Sequence, residues 1–167
     1  MNNLISKVSK NDIQLTIAIP TFNRASYLNK SLECIAPQLN AHSNVELIVI
    51  DNASTDQTHE VCQKYEELDN FSYYRLDQNF GMSASQYECL LKANGNYLLI
   101  FADDDYLEPN GIRIILDAIS KDFDLYAFNY KSAKFKHKNS PIGPTNSCKF
   151  EYGFQLMNYP SVGHMSG

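Results

Sequence analysis

Tyr97-Leu98-Leu99-Ile100-Phe101-Ala102-Asp103-Asp104-Asp105 is an apolar run that ends in three consecutive acids. Six mostly large apolar residues in a row read as a strand buried on both faces, the kind found inside a parallel sheet. The acids follow where such a sheet presents side chains to a ligand crevice, at the carboxyl ends of its strands. Adjacent carboxylates repel unless a cation sits among them. A hard divalent ion, Mg²⁺ or Mn²⁺, held by one or two carboxylates plus substrate phosphates, resolves that repulsion. The plainer reading is a polar loop in which Asp103 to Asp105 cap the next helix.

Working outward, strand and helix patterns alternate on both sides of this run. Residues 1–14 read as a loose polar lead-in. Leu15 to Ile19 is a short strand, stopped by Pro20. Ser26 to Gln38 carries Tyr27, Leu28, Leu32 and Ile35 at helical spacing, with Leu39 just beyond. Val45 to Ile50 is a buried strand ending at Asp51-Asn52, and Ser54 or Thr55 caps the next helix, with Val61, Tyr65 and Leu68 inward. Phe71 to Leu76 is a third strand. Gly81 opens a helix with Ala84, Tyr87, Leu90 and Leu91 as its stripe, stopped at Asn94-Gly95. Pro109 lies near the first turn of a helix with Ile112, Ile115, Leu116 and Ile119 inward. Asp124 to Tyr130 is a fifth strand, and Lys131 to Lys149 reads as an exposed loop. The alternation predicts an α/β fold, a three-layer αβα sandwich around a mostly parallel sheet. Residues 15–130 form its core, and 131–167 are a loop and the start of a further region.

Composition narrows the function. The net charge of −5 argues against a general nucleic-acid binder, which would carry basic patches. An acidic site that receives phosphates needs a cation, a second pointer to metal. Cys34, Cys62, Cys89 and Cys148 form no C-x-x-C pair and read as free thiols of a reducing compartment. The N-terminus has no apolar signal core, and no run reaches membrane-span length. The four histidines have no ligand spacing.

Three strand ends are chemically loaded: Pro20-Thr21-Phe22-Asn23-Arg24, Asp51-Asn52-Ala53-Ser54-Thr55-Asp56 and Asp103-Asp104-Asp105. In a parallel sheet they lie along one edge and can converge on one ligand. Asp51 and Asn52 offer both acceptors and donors to a base ring. Asn79-Phe80-Gly81 leads into a helix N-terminus suited to a sugar or phosphate oxygen. No dinucleotide fingerprint or P-loop occurs. Each residue also has a plainer reading. Asn23 or Arg24 could cap the first helix, Asp56 is a first-turn acid, Gly81 serves a positive φ, and Phe71, Tyr73 and Tyr74 are packing aromatics.

Thr16 to Arg24 followed by Leu28, Val45 to Asp56, Asn79-x-Gly81, and Gly95 to Pro109 together resemble, in order, four signatures of the inverting GT-A-fold glycosyltransferases of family 2. The resemblance covers about residues 14–130. It implies transfer of a sugar from a nucleotide-diphosphate donor, with Mg²⁺ or Mn²⁺, to a glycan or lipid-linked acceptor in bacterial surface polysaccharide assembly. It assigns Pro20, Thr21, Asn23, Arg24, Asp51, Asn52, Asn79, Gly81 and Asp103 to the donor and Asp104, with Asp103 and Asp105, to the metal. Ala102 and Asn52 depart from aspartates common in the family, so the division of roles among the three acids and the identity of the nucleotide stay open. The family's catalytic base comes from a later segment, expected beyond residue 167, in a chain that reads as C-terminally truncated. The expected location is cytoplasmic, with peripheral contact at the inner face of the membrane left open through the basic stretch Lys131 to Lys138. The rivals are a nucleotidyltransferase, a response-regulator-like module, and a fragment that binds a sugar nucleotide without catalysis. The Pro20 to Arg24 segment lacks the Gly-rich loop of the first and the acid pair of the second.

Overall fold

A computed structural model describes residues 12–121, 124, 146–149 and 155–158. Two compact units divide the chain, Met1–Leu116 and Asp117–Gly167.

The first unit contains strands β1 (Leu15–Thr21), β2 (Val45–Asp51), β3 (Phe71–Arg75) and β4 (Tyr97–Ile100). Helices α1 (Ala25–Leu39), α2 (Thr58–Gln63), α3 (Met82–Lys92) and the start of α4 (Gly111–Ile119) connect or follow them. All four strands are parallel, in the order β3-β2-β1-β4. In the second unit β5 (Asn146–Lys149) and β6 (Gln155–Asn158) pair antiparallel. The stretch expected to be a loop thus ends in a strand. The expected strand over 124–130 lies, except for Asp124 in a bend, outside the described residues, as do residues 1–11 of the lead-in.

Both faces of the central strands are buried, as their unbroken apolar sequences require. Ala18, Ile48 and Ile50 pack with Cys89 of α3, with Tyr74, Leu76 and Leu98 around them. The alternate residues Ile17, Ile19, Leu47 and Val49 are fully buried on the opposite face. Leu28, Leu32, Ile35 and Leu39 of α1 are likewise buried at 3.6-residue spacing. Each such side chain contributes about 1.5–3 kcal/mol. Ile13, in the expected lead-in, joins this core, and the Gln14 N–H donates to the Asn44 carbonyl.

Several local expectations are corrected. β1 runs through Pro20 to Thr21. The Ala18 carbonyl accepts from Phe101 on the β4 side and the Thr21 carbonyl from Asn52 on the β2 side. Alternation turns Pro20 toward the β4 side, where strand pairing has ended at Ala18, so its missing N–H costs no ladder bond. β4 is half-buried to exposed, because among the described residues it pairs on one side only, at the end of the sheet. On α3 the buried residues are Ser85 and Cys89, while Tyr87, Leu90 and Leu91 are exposed. The small residues let the helix lie close to the sheet. On α1, Tyr27 is exposed rather than inward. α3 ends at Lys92 because Ala93 is extended. Gly95 serves another need: a Cβ there would lie 2.6 Å from the Thr16 backbone nitrogen.

Candidate functional site

The parallel register sets Thr21 beside Asp51, and Asp51 beside Arg75, at the carboxyl ends of β1, β2 and β3. Asp103 follows β4 on the same edge. The Thr21 hydroxyl donates to Asp103 Oδ2 at 2.8 Å, joining the β1 and β4 ends across 82 residues. Arg24 then bridges two acids: its Nε is 3.0 Å from Asp103 Oδ1 and its NH2 donates to Asp104 Oδ2 at 2.6 Å. The Nε contact is an ion pair by distance only, because this buried N–H has no aligned acceptor. The guanidinium also lies 4.5 Å over the Tyr27 ring, which explains the outward tyrosine on α1.

These contacts set the charges. Burial raises the Asp103 carboxyl, the Thr21 hydrogen bond and Arg24 oppose that rise, and Asp104 adds to it, for a net upward shift. Burial and the neighbouring Asp104 raise Asp105. For Arg24, burial acts downward but Asp103 and Asp104 outweigh it, so the guanidinium is held charged.

The aspartates sit on a tight turn rather than a helix cap. The Asp105 N–H donates to the Ala102 carbonyl, and α4 begins only at Gly111. Buried Ser31 of α1 fixes this turn from below, its hydroxyl shared between the Asp103 and Asp105 carbonyls at 2.9 and 2.7 Å. Asp105 stands outside the Arg24 bridge. Among the described residues no group of three or more His, Cys, Asp or Glu side chains converges as a metal cage. Of the three expected carboxylates, Asp103 and Asp104 share one guanidinium, and Asp105 lies close enough to Asp104 for their charges to interact.

Asp51 and Asn52, expected to face a base, are each engaged by other groups of the protein. Asp51 is fully buried; it accepts from the Ser54 N–H at 2.8 Å and the Tyr73 hydroxyl at 2.6 Å. Asn52 donates through Nδ2 to Asn79 Oδ1 and the Gly81 carbonyl, and accepts at Oδ1 from the Phe80 N–H. A carboxylate could not donate to those two oxygens, so asparagine fits this clip and aspartate does not. Gly81, at φ +86, turns the chain into α3 with a conformation L residues rarely adopt.

The β1–α1 and β2–α2 loops are stapled together. The Asn23 N–H donates to Ser54 Oγ, and Asn23 Oδ1 accepts from the Thr55 N–H. Asp56 accepts from the Ala25 N–H at the start of α1 and from both the N–H and hydroxyl of Thr58. Arg24 holds the N-cap position of α1 without a side-chain cap bond, Asn23 lies before it, and neither Ser54 nor Thr55 is the N-cap of α2. One aspartate serves both helix starts. Burial works against its ionisation, but these donors more than compensate and hold its carboxyl below the ordinary value.

Residues 16–166 match the protein family described as Glycosyl transferase family 2. The chain belongs to that family. It is 32% identical over 119 residues to the abequosyltransferase RfbV of Salmonella typhimurium, covering 70% of this chain and 36% of RfbV. Among solved structures it is similar to Staphylococcus aureus TarS 1–349 in complex with UDP-GlcNAc, with a TM-score of 0.70 and 23% identity over 81% of this chain and 39% of that one. It is also similar to the mannosyltransferase PcManGT of Pyrobaculum calidifontis in complex with GDP-Man and Mn²⁺, with a TM-score of 0.58 and 21% identity over 64% of this chain and 32% of that one. The two structural likenesses establish the GT-A fold. The chain spans well under half the length of these relatives.

Three residues of this family 2 chain escape a sequence reading. Ser31 left a trace, as a small polar residue on the buried face of an apolar helix. Tyr73 had none, because an aromatic in a strand reads as packing. Asp56 was visible as an acid, but its second helix lies 31 residues upstream.

Proposed function

We propose that this chain forms the donor half of a glycosyltransferase. It binds a nucleotide-diphosphate sugar with a divalent metal and serves inverting transfer to a glycan or lipid-linked acceptor in bacterial surface polysaccharide assembly. The observation that carries this reading is the convergence of Thr21, Arg24, Asp103 and Asp104 at one sheet edge, beside the Asp51-Asn52 strand end. The nucleotide complexes of TarS and PcManGT support it by likeness of fold.

The donor set suits Mg²⁺ or Mn²⁺. Asp103 and Asp104 offer hard carboxylate oxygens that already share a cation, and such ions fill their remaining positions with phosphate and water. Asp104, the more exposed of the two, would hold the ion, with Asp103 beside it. When bound, the ion would stabilise the departing nucleoside diphosphate. Thr21 and Ser31 hold the Asp103 carboxylate and the aspartate turn in place for that contact. Asp51 and Asn52 shape the base side mainly by fixing the 52–55 and 79–81 loops, which leaves backbone groups to face the base. The base that deprotonates the acceptor is assigned to none of the described residues.

Calorimetric titration of UDP, GDP, CDP and dTDP, with and without Mn²⁺, tests the reading. Metal-dependent binding of one nucleotide, abolished in Asp104→Ala, is expected. Equal binding by the variant would overturn the assignment of the aspartates.

A further inference from the structure

Building on that donor-site reading, we propose that Arg24 is a resident counter-cation which keeps Asp103 and Asp104 paired until a metal-bound diphosphate displaces it. Metal binding thereby depends on nucleotide. Two carboxylates on successive residues, one of them buried, need a positive partner when no ligand is present. Arg24 supplies it with one guanidinium, contacting Asp103 Oδ1 and Asp104 Oδ2 together. Asp103 Oδ2 accepts from Thr21, so an ion drawn to these two carboxylates would compete with the guanidinium for them.

The geometry fits a latch rather than a fixed strut. The Nε–Asp103 contact lacks an aligned hydrogen bond, so it is held by charge alone. The Arg24 side chain is 41% exposed, and its other support is the Tyr27 ring on the outer face of α1. Among the described residues these are the contacts that hold the guanidinium, and it lies outside the buried core. With Arg24 in place the two acids and the guanidinium sum to a single negative charge, which draws a bare divalent ion weakly. A diphosphate changes the balance. Its oxygens add ligands to the ion and give the freed guanidinium a bidentate anionic partner. Ion and nucleotide therefore favour each other's binding, with the released arginine as the link.

The test compares wild type with Arg24→Gln and Arg24→Lys. Mn²⁺ alone is titrated and followed by loss of the free-ion electron paramagnetic resonance signal. Each of the four nucleoside diphosphates is then titrated calorimetrically at saturating Mn²⁺. Removing the competing positive charge should tighten Mn²⁺ binding in the absence of nucleotide about tenfold in Arg24→Gln. The same variant should bind the preferred nucleoside diphosphate more weakly. Arg24→Lys, with a point charge that cannot bridge both acids, should fall between. Unchanged affinity for Mn²⁺ alone in Arg24→Gln, alongside normal Mn²⁺-dependent nucleotide binding by wild type, would overturn the counter-cation and leave the donor site standing. Failure of every folded variant to bind Mn²⁺, with or without nucleotide, would overturn both.

Discussion

Gly95→Ala probes how tightly the strand carrying the aspartates is set against β1. An added Cβ would lie 2.6 Å from the Thr16 nitrogen, 2.8 Å from the Leu15 carbonyl carbon and 2.9 Å from Thr16 Oγ1. Comfortable contact needs about 3.5 Å, so the chains must part by about 1 Å. The atoms in the way are backbone of β1, which is paired on both sides and cannot yield. Overpacking of this kind costs about 1–3 kcal/mol. The shift also removes the Gly95 N–H bond to Thr16 Oγ1, whose hydroxyl in turn donates to Glu46. A lost hydrogen bond adds about 1 kcal/mol. The expected total is about 2–4 kcal/mol, a large share of the ~5–15 kcal/mol that holds a domain together. Urea denaturation followed by circular dichroism measures it, and nucleotide titration should weaken in parallel because β4 leads to Asp103. Gly111→Ala is the control: its Cβ would lie 2.5 and 2.6 Å from Leu107 side-chain carbons, which can rotate aside where backbone cannot, and a change within about 1 kcal/mol is expected. A cost below about 1 kcal/mol for Gly95→Ala, on the same scale as that control, would refute the backbone-contact argument.

Asp56→Ala should cost about 1–3 kcal/mol, as it unseats two helix starts at once. Because the folded carboxyl lies below its ordinary value of 3.8, its contribution is complete above that value and fades as pH falls beneath it. Asp56→Asn should therefore flatten the acid side of the stability profile; an unaltered profile would count against the staple. Tyr73→Phe should lose about 1–3 kcal/mol by leaving a buried Asp51 oxygen without a donor, measured by the same denaturation. Burial, with nearby acids adding, pushes the Cys62 thiol up to about 12 and, net of a backbone hydrogen bond, Cys89 up to about 11. In a Cys34→Ser, Cys148→Ser background the native protein should react with a thiol reagent at pH 8 at least a hundredfold more slowly than the unfolded protein. Equal rates would show those sites to be open.

The sheet was legible from sequence because its central strands are buried on both faces, and nothing but a parallel α/β sheet uses such runs in alternation with amphipathic helices. The gathering of acids and amides at one sheet edge was legible too, because they follow directly where those runs stop. What one side chain does to another was less visible. Arg24 reads as a cap or a phosphate ligand, yet it bridges acids 79 and 80 positions later in the chain, a pairing set by the β1–β4 register. Asn52 reads as a group facing a base, yet its amide is occupied by the 79–81 loop. The stripe on α3 misled because Ser85 and Cys89, not the large residues, make the close approach to the sheet.

Strand order also fixes a timetable for the nascent chain. β1 leaves the ribosome before the other three strands but sits inside the sheet, and its partner on one side does not begin until Tyr97, 82 residues after Leu15. At about 5–20 residues per second that interval lasts about 4–16 s. Throughout it, one edge of an apolar, β-branched strand stands open to any other unfinished chain. Pro20 lies at the end of that edge and turns its ring toward it. Pro20 thus guards the end of that edge during synthesis, and a holding chaperone should raise the yield of folded protein more than a stabilising change in the finished core.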